Sequence, residues 1–308
     1  ALTNALDQER LHHAYLFTGT RGVGKTTLAR ILAKSLNCEK NGVTSKPCGV
    51  CSSCIAVDKG NFVDLIEVDA ASNTKVDEMR ELLENSQYAP TSGRFKVYII
   101  DEVHMLSNSA FNAMLKTLEE PPEHIKFILA TTDPKKVPAT VLSRCLQFSL
   151  KQMTIEKISN HLEMILIEEN IKYEKKALGL ISKSAKGSMR DALSILDQAI
   201  AYAGNEVSEQ KISEMLGIAN NDFLTEILIK LSEKNGAELI KLGCGMNEKN
   251  IALDSTLDDL ASLIHKISVY QVAPINRHEY QNDDEIKNLS KLYTPETLQL
   301  LYQIVING

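Results

Sequence analysis

The stretch Gly19-Thr-Arg-Gly-Val-Gly-Lys25-Thr26 decides the architecture of this chain. An apolar run from Ala14 to Phe17 precedes it, and an amphipathic stretch from Leu28 to Leu36 follows it. The octet therefore fits the pattern GxxxxGK[ST] between a predicted strand and a predicted helix. An ordinary glycine-rich turn before a helix matches the same elements, but it does not require Lys and Thr together at the helix start.

This pattern predicts a site for a nucleoside triphosphate and Mg²⁺. The glycines let consecutive backbone N–H groups curl around phosphate oxygens, and the dipole of the following helix favours the same anion. Lys25 is expected to neutralise the β- and γ-phosphates, and Thr26 to bind Mg²⁺. The residues expected to contact the nucleotide here are Gly19, Thr20, Arg21, Gly22, Val23, Gly24, Lys25, Thr26 and Thr27.

Composition and length are those of a globular protein with more than one domain. The 308 residues suit two or three domains. A net charge of -6 argues against a broad basic surface that coats nucleic acid, so any DNA contact should be local. No apolar run approaches the ~20 residues that cross a bilayer, and no signal peptide opens the chain. We therefore expect a cytoplasmic protein without membrane contact.

Residues 1–153 alternate short apolar strands with helical periods. Strands predicted at 65–68, 97–100 and 127–131 are rich in Val and Ile, and near-continuous apolar strands indicate a parallel sheet covered on both faces. After Met153 the apolar residues recur at helical spacing, and strand patterns vanish. The expected layout is an α/β nucleotide-binding domain (1–153), a small helical domain (154–217) and part of a further helical domain (218–308).

A loop rich in Gly, Pro and Ser carries the pattern C-x9-C-x2-C-x2-C, formed by Cys38, Cys48, Cys51 and Cys54. Four thiolates at this spacing can surround one tetrahedral zinc ion and leave no position open to substrate, so we expect a structural zinc site. Two disulfides are the alternative, which a reducing compartment disfavours. Cys145 and Cys244 lie apart and are expected to be small buried apolar side chains.

The predicted apolar strand at 97–100, which Lys96 precedes, ends in Asp101 and Glu102. This is the form of a Walker B element, in which Asp101 orients Mg²⁺ and Glu102 polarises the attacking water. Such a strand alone often only starts a loop, but behind a phosphate loop it is the expected partner. At the end of a later strand, the Thr132 hydroxyl can bond the γ-phosphate or the attacking water, although Thr there is as often a turn residue.

Two arginines are candidates for sensing phosphate charge. Arg144 lies in Ser143-Arg-Cys145 at the edge of the predicted α/β domain, where its planar guanidinium can reach the nucleotide of a neighbouring subunit. Arg190 lies in Gly187-Ser-Met-Arg-Asp191 at a predicted helix start, where it can reach the ATP of its own chain. A surface arginine is usually only solvated, so the residues alone leave both assignments open.

Several stretches together resemble one known family. They are GTRGVGKT, the four-cysteine insertion, VYIIDEVHML, the run from Leu115 to Pro122, LATTD, Ser-Arg-Cys and GSMRDALS. In combination they resemble the gamma/tau clamp-loader ATPases of bacterial DNA polymerase III along nearly the whole chain. The resemblance implies a P-loop AAA+ ATPase domain with a zinc-binding insertion, followed by a helical lid and a helical collar that drives oligomerisation.

The resemblance also implies an activity and partners. Such subunits join other gamma/tau copies, delta and delta-prime in a spiral that opens the sliding clamp (beta) and closes it around primed-template DNA. They hydrolyse ATP, while the nucleotidyltransferase activity of DNA polymerase III belongs to another subunit. The expected location is the nucleoid-associated replisome in the bacterial cytoplasm.

Each candidate residue acquires a role from this resemblance. Thr132 corresponds to sensor 1 and Arg190 to sensor 2, and Arg144 corresponds to the finger that acts in trans on the ATP of the adjacent subunit. The residues implied to act on ATP within the chain are Lys25, Thr26, Asp101 and Glu102.

DNA contact is implied for a few basic residues. In the family, helices that line the interior of the spiral touch the DNA backbone, and Lys75, Arg80 and Lys116 occupy the matching stretches. Phosphate contact by a few side chains fits an acidic chain. Asn73 stands where a basic residue is expected. Exposed Lys and Arg on solvated helix faces are the alternative reading of these positions.

At both ends the sequence departs from the family pattern. The segment that contacts adenine in the family is expected to lie upstream of Ala1, and the collar is expected to be incomplete at Gly308. Two other functions remain open: an AAA+ DNA motor of the helicase type, and a non-catalytic scaffold like delta-prime. The cysteine module with Ser-Arg-Cys opposes the first, and the intact Lys25, Thr26 and Glu102 oppose the second.

Overall fold

The described part of the chain forms two compact units. A computed structural model describes residues 2–72, 83–84, 86–204, 206–217, 221–248, 253–273 and 284–307. The first unit comprises Ala1–Ile158 with Ala185–Ser194, and the second comprises Ser159–Ser184 with Ile195–Gly308. The segment around Arg190 therefore belongs to the same unit as the glycine-rich octet.

The first unit is built on a five-stranded parallel sheet with the strand order β2-β3-β4-β1-β5. The strands are β1 (Ala14–Thr18), β2 (Leu65–Asp69), β3 (Lys96–Asp101), β4 (Ile125–Thr131) and β5 (Leu146–Ser149). The predicted parallel sheet is confirmed. Strand β5 is an addition to the prediction: it covers one edge of the sheet, and its four residues are too few and too exposed to carry an apolar run.

Helices cover both faces of this sheet because its strands send alternate side chains to opposite sides. Along β1, Leu16 joins the core on one face, whereas Tyr15 and Phe17 join the core on the other. The helices of this unit are α1 (Leu2–Asp7), α2 (Lys25–Asn37), α3 (Ser52–Asp58), α4 (Asn108–Glu119) and α5 (Ala139–Leu142), with 3-10 turns at Val103–Met105 and Pro134–Lys136.

The rest of the described chain is mainly helical. Its helices are α6 (Ile155–Glu168), α7 (Lys175–Ser184), α8 (Met189–Ala203), α9 (Glu209–Leu216), α10 (Asn221–Ser232), α11 (Gly236–Glu248), α12 (Leu253–Val272), α13 (Asp284–Leu292) and α14 (Pro295–Asn307). Two short parallel strands, β6 (Lys172–Tyr173) and β7 (Glu206–Val207), also pair there. The expectation that strands are absent after Met153 is wrong, because two residues carry no periodicity.

The core of the C-terminal helices draws on four of them. Leu224, Leu228, Ile264 and Leu289 are among its buried residues, and Leu298 of α14 completes it. Gln271 of α12 donates to the carbonyls of Ser290 and Tyr293, and thereby fixes the turn between α13 and α14. Within the described residues, every helix is too short or too polar to cross a membrane.

Candidate functional site

The glycine-rich octet connects the buried central strand β1 to helix α2. Three of its glycines have positive φ angles, 151° at Gly19, 78° at Gly22 and 92° at Gly24, which side chains rarely adopt. Gly24 ends the loop and Lys25 begins the helix, so the loop amides and the helix N-terminus lie together. This arrangement is the anion-binding geometry that the sequence predicts.

The remaining octet residues and Thr27 divide between core and surface. Val23 is buried, and Thr20, Arg21 and Thr27 are exposed at the loop and the first helical turn. A Cβ on Gly19 would lie 2.6 Å from the Leu150 carbonyl oxygen, so the chain that follows β5 also requires glycine there.

Lys25 turns its side chain back over the loop. Its Nζ donates to the carbonyl oxygens of Gly19 at 2.9 Å and Thr20 at 3.1 Å, and the residue is buried. Burial lowers the pKa of Lys25, the nearby carboxylates of Glu102 and Asp101 raise it, and Arg190 lowers it further. Those three side chains therefore surround the ammonium group closely enough to act on its charge.

Thr26 and Asp101 meet at the carboxyl edge of the sheet. The Thr26 hydroxyl donates to Asp101 Oδ2 at 2.6 Å, although 75 residues separate them in sequence. The backbone N–H of Glu102 donates to the other carboxylate oxygen at 2.9 Å. A hydroxyl beside a carboxylate is an oxygen-rich donor set of the kind that binds Mg²⁺ together with a phosphate, so these two residues fit that ion.

Glu102 and Thr132 also converge, from the ends of the neighbouring strands β3 and β4. Glu102 Oε2 accepts hydrogen bonds from the Thr132 hydroxyl at 2.8 Å and from its backbone N–H at 3.2 Å. Glu102 has a φ of 46°, a left-handed conformation that is uncommon for a side chain and directs the carboxylate toward β4. The candidate base Glu102 and the candidate phosphate-contacting residue Thr132 are thus in direct contact.

Two further residues at this edge were absent from the prediction. The His104 Nδ1 lies 3.3 Å from Glu102 Oε2 and 2.9 Å from the Thr131 hydroxyl. The available sequence pattern was a histidine two positions after the carboxylate and a second threonine beside Thr132. Only the pairing of β3 with β4 brings these positions together.

Arg190 lies beside the phosphate loop. The backbone N–H of Met189 donates to the Gly22 carbonyl oxygen at 3.1 Å. A Cβ on Gly22 would fall 3.5 Å from the Cβ of Arg190 and 1.8 Å from the Ser188 hydroxyl. The start of α8 is therefore packed directly on the loop, and Arg190 lies beside the place where a nucleotide would bind.

Arg144 lies near the amino-terminal ends of the strands, whereas the phosphate loop lies at their carboxyl ends. It precedes β5, which begins beside Tyr15, whereas the phosphate loop follows Thr18, roughly 10 Å farther along the strands. Its guanidinium donates to Glu119 Oε1 at 2.7 Å and to the Thr140 carbonyl oxygen at 2.7 Å. The fold does not bring Arg144 together with the phosphate loop of its own chain.

The cysteines of the predicted zinc site come together between α2 and α3. All their Sγ atoms lie within 4.8 Å of one another, and the set consists of Cys38, Cys48, Cys51 and Cys54. The Sγ atoms of Cys48 and Cys54 are 4.0 Å apart, which is too far for a disulfide bond. Backbone N–H groups of Asn41 and Cys48 donate to the Cys38 sulfur, as befits a sulfur that carries negative charge.

The thiols of this cluster differ in acidity. Burial opposes ionisation of Cys51, but backbone and thiol hydrogen bonds outweigh it and lower its pKa to about 6. Burial, together with the hydrogen bond that the Cys54 thiol donates to Cys51, raises the pKa of Cys54 to about 12. The four sulfurs fit a tetrahedral zinc ion, which requires deprotonated thiolates.

Outside the cluster, one cysteine expectation is correct and the other is wrong. Cys145 is buried, as expected, and burial raises its pKa to about 12. Cys244 is exposed, so its expected burial is wrong. It lies on α11, where the other described side chains are exposed or half-buried, except for that of Met246.

The candidate DNA contacts are described only in part. Lys116 is exposed on α4 and contributes to a surface groove of about 410 Å³, which is also lined by Leu83, Ser86 and Gln87. Glu84 and Glu120 line the same groove. Lys75 and Arg80, with Asn73, lie outside the described residues.

Three family models match consecutive parts of the chain. Residues 1–154 match "DNA polymerase III, delta subunit", and residues 157–205 match "DNA polymerase III clamp loader subunit, ATPase lid domain". Residues 207–308 match "DNA polymerase III subunits gamma and tau domain III". A solved structure of the RuvB Holliday junction branch migration motor from Thermotoga maritima has a TM-score of 0.51 at 19% identity, covers 84% of this chain and 85% of its own, and shares its fold.

Curated relatives match along the full chain. The DNA polymerase III subunit tau of Salmonella typhimurium is 51% identical over 100% of this chain and 48% of its own length. The subunit gamma of Buchnera aphidicola (subsp. Baizongia pistaciae) is 45% identical over 100% of this chain and 84% of its own length. The chain thus spans about half the length of the first of these relatives. On both the family models and the full-length identity, it belongs to the gamma/tau family of bacterial DNA polymerase III clamp-loader subunits.

Proposed function

We propose that this chain is the ATPase motor of a bacterial clamp loader. The observation that carries the proposal is the convergence of Lys25, the Thr26–Asp101 pair and the Glu102–Thr132 pair at one edge of the sheet. Binding of ATP stabilises the assembly that opens the sliding clamp around primed-template DNA, and hydrolysis releases it. Replication of the chromosome places this work in the bacterial cytoplasm.

Each side chain at this edge has a distinct role in the proposal. Lys25 leaves the loop carbonyls and neutralises the β- and γ-phosphates, while Thr26 and Asp101 would hold Mg²⁺, which would offset charge on the same phosphates. Glu102 orients and polarises the attacking water. Thr132 holds the Glu102 carboxylate and reports the γ-phosphate through the same hydroxyl.

The two arginines act on different nucleotides. Arg190 supplies positive charge to the γ-phosphate in its own chain, which its place beside Gly22 supports. Arg144 serves the ATP of an adjacent subunit, because it lies at the amino-terminal end of β5, roughly 10 Å along the strands from the phosphate loop of its own chain. Its fork of donors suits charge that develops on a transferred phosphoryl group.

The remaining parts of the proposal concern assembly. The partners are further gamma/tau copies, delta, delta-prime, the sliding clamp and primed-template DNA, whose backbone contacts Lys116, Lys75 and Arg80. The cysteine cluster holds a structural zinc ion. The three domains are the ATPase domain (1–153), the lid (154–217) and the collar (218–308); three separate family matches support a division into three parts, with the lid match ending at 205 and the next beginning at 207.

The test is ATP hydrolysis by the full-length protein, alone and with delta, delta-prime, clamp and primed template. We expect strong stimulation only by the complete set, and a loss of at least tenfold for Lys25→Ala because ATP binding loses its main phosphate contact. Lys157→Ala, which removes an exposed lysine of α6, is the matched control and should retain activity. Absence of ATP binding would support a scaffold instead, and strand separation by the protein alone would support a helicase-type motor.

A further inference from the structure

We propose that His104 is a positioning residue for hydrolysis, which holds the Glu102 carboxylate in the orientation that activates water and is itself held by Thr131. The inference rests on the proposed ATPase function. The side-chain contacts of His104 and Thr131 are with each other, with Glu102 and with the Asp133 N–H, so their role is in the chemical step and not in nucleotide binding.

The contacts form a short chain from β4 to the carboxylate. Thr131 is the last residue of β4 and is fully buried. Its hydroxyl lies 2.9 Å from His104 Nδ1, which lies 3.3 Å from Glu102 Oε2. The His104 side chain is only 10% exposed, so it has little freedom to leave this position.

The backbone between Glu102 and His104 makes this contact possible. Glu102 has a left-handed conformation and caps the 3-10 turn Val103–Met105, so its side chain and that of His104 lie on one side of the turn. The Met105 N–H closes the turn by donating to the Glu102 carbonyl oxygen at 2.8 Å. A left-handed conformation in a residue other than glycine costs free energy and is retained where the surroundings enforce it.

The hydrogen-bond partners determine which nitrogen of His104 carries the proton. An unprotonated Nδ1 would direct its lone pair at a carboxylate oxygen 3.3 Å away, which is repulsive. We therefore assign the proton to Nδ1, which faces Glu102 and donates to the Thr131 hydroxyl. That hydroxyl also accepts from the Asp133 N–H at 3.1 Å, and its two lone pairs accommodate both donors.

This chain of contacts leaves one carboxylate oxygen for chemistry. The two Thr132 donors and the His104 ring all approach Glu102 Oε2. They hold Oε2 in place and leave Oε1 to accept a proton from water. Because a base displaced by about 1 Å can lose on the order of a hundredfold in rate, an orienting side chain here acts on the rate of hydrolysis.

The test is the single-turnover rate of ATP hydrolysis in the clamp loader assembled from the full-length protein. His104→Ala should lower that rate about tenfold or more while the dissociation constant of ATP changes less than twofold. His104→Asn keeps an N–H donor near the place of Nδ1 and should recover most of the loss. Thr131→Val should lower the rate in the same way, and Thr131→Ser should restore it.

The Glu102→Gln background separates positioning from a merely structural effect. If His104 acts through Glu102, adding His104→Ala to Glu102→Gln should leave the residual rate unchanged, because effects of residues that act as a unit are not additive. His161→Ala, at an exposed position of α6, is the matched control. A wild-type rate for His104→Ala, or a multiplicative loss in the double variant, would overturn the inference. Lack of hydrolysis by the wild-type assembly would instead overturn the proposed function.

Discussion

At the scale of single residues, Gly22 shows how closely the phosphate loop approaches the segment that carries Arg190. Its φ of 78° already favours glycine. A Cβ there would also lie 2.8 Å from the Cβ of Ser188 and 1.8 Å from its hydroxyl oxygen, distances that real side chains do not show. The absence of a side chain at Gly22 therefore allows the loop to lie in contact with the start of α8.

We therefore expect Gly22→Ala to cost more than backbone strain alone. Gly60→Ala is the matched control, since its φ is 70° and nothing lies within 4 Å of the added Cβ; it should cost about 1 kcal/mol. Gly22→Ala should lower the midpoint of thermal unfolding further and weaken ATP binding. Adding Ser188→Gly to Gly22→Ala removes the clash and should recover the difference. Equal midpoints for the two single variants would contradict this account of Gly22.

At the scale of elements, the apolar strands were predictable and the short ones were not. The strands β1, β3 and β4 are almost wholly buried, so each appears in the sequence as a continuous apolar run. The edge strand β5 and the two-residue strands β6 and β7 are defined by pairing partners far away in sequence. Their existence depends on tertiary contacts that no local pattern contains.

The candidate site follows the same division. Lys25, Thr26, Asp101 and Glu102 were predictable because their spacing within each motif reflects local geometry. The contact of His104 with Thr131 was not, since 27 residues separate them and only strand pairing joins them. The position of Arg144 also depends on tertiary contacts, because the register of β5 places it at the end of the strands away from the phosphate loop.

The cysteine cluster is an element whose metal content can be measured directly. Elemental analysis of the purified protein should find one zinc per chain, and Cys48→Ser or Cys51→Ser should lose it and lower the thermal stability, because a zinc ion held by this cluster would join the end of α2 to α3. Cys244→Ser, which removes the exposed cysteine, should retain the zinc. Acidification should release it, since protonated thiols do not bind zinc. Two disulfides and no zinc in the native protein would contradict the proposed site.

At the scale of the whole molecule, the candidate catalytic groups are divided between the carboxyl ends and the amino-terminal ends of the strands of one sheet. The phosphate loop has Lys25, Glu102 and Arg190 close to it. Arg144, in contrast, pairs with Glu119 near the amino-terminal end of β5. An exposed ion pair of this kind contributes little stability, so Glu119 can release Arg144 to another partner at small cost. The proposal that follows is a site shared between neighbouring subunits, and hence an ATPase that is active only in an assembly.

The most direct test of this shared site is ATP hydrolysis by clamp loaders assembled from a mixture of Lys25→Ala and Arg144→Ala chains. Assemblies that contain only one of these two variants should be nearly inactive. The control is Arg30→Ala, which breaks the similarly exposed Arg30–Glu67 ion pair and should leave the assembly active. The mixture should regain activity, because a Lys25→Ala chain donates its intact Arg144 to the intact phosphate loop of an Arg144→Ala neighbour. A mixture as inactive as either pure variant would contradict action of Arg144 in trans.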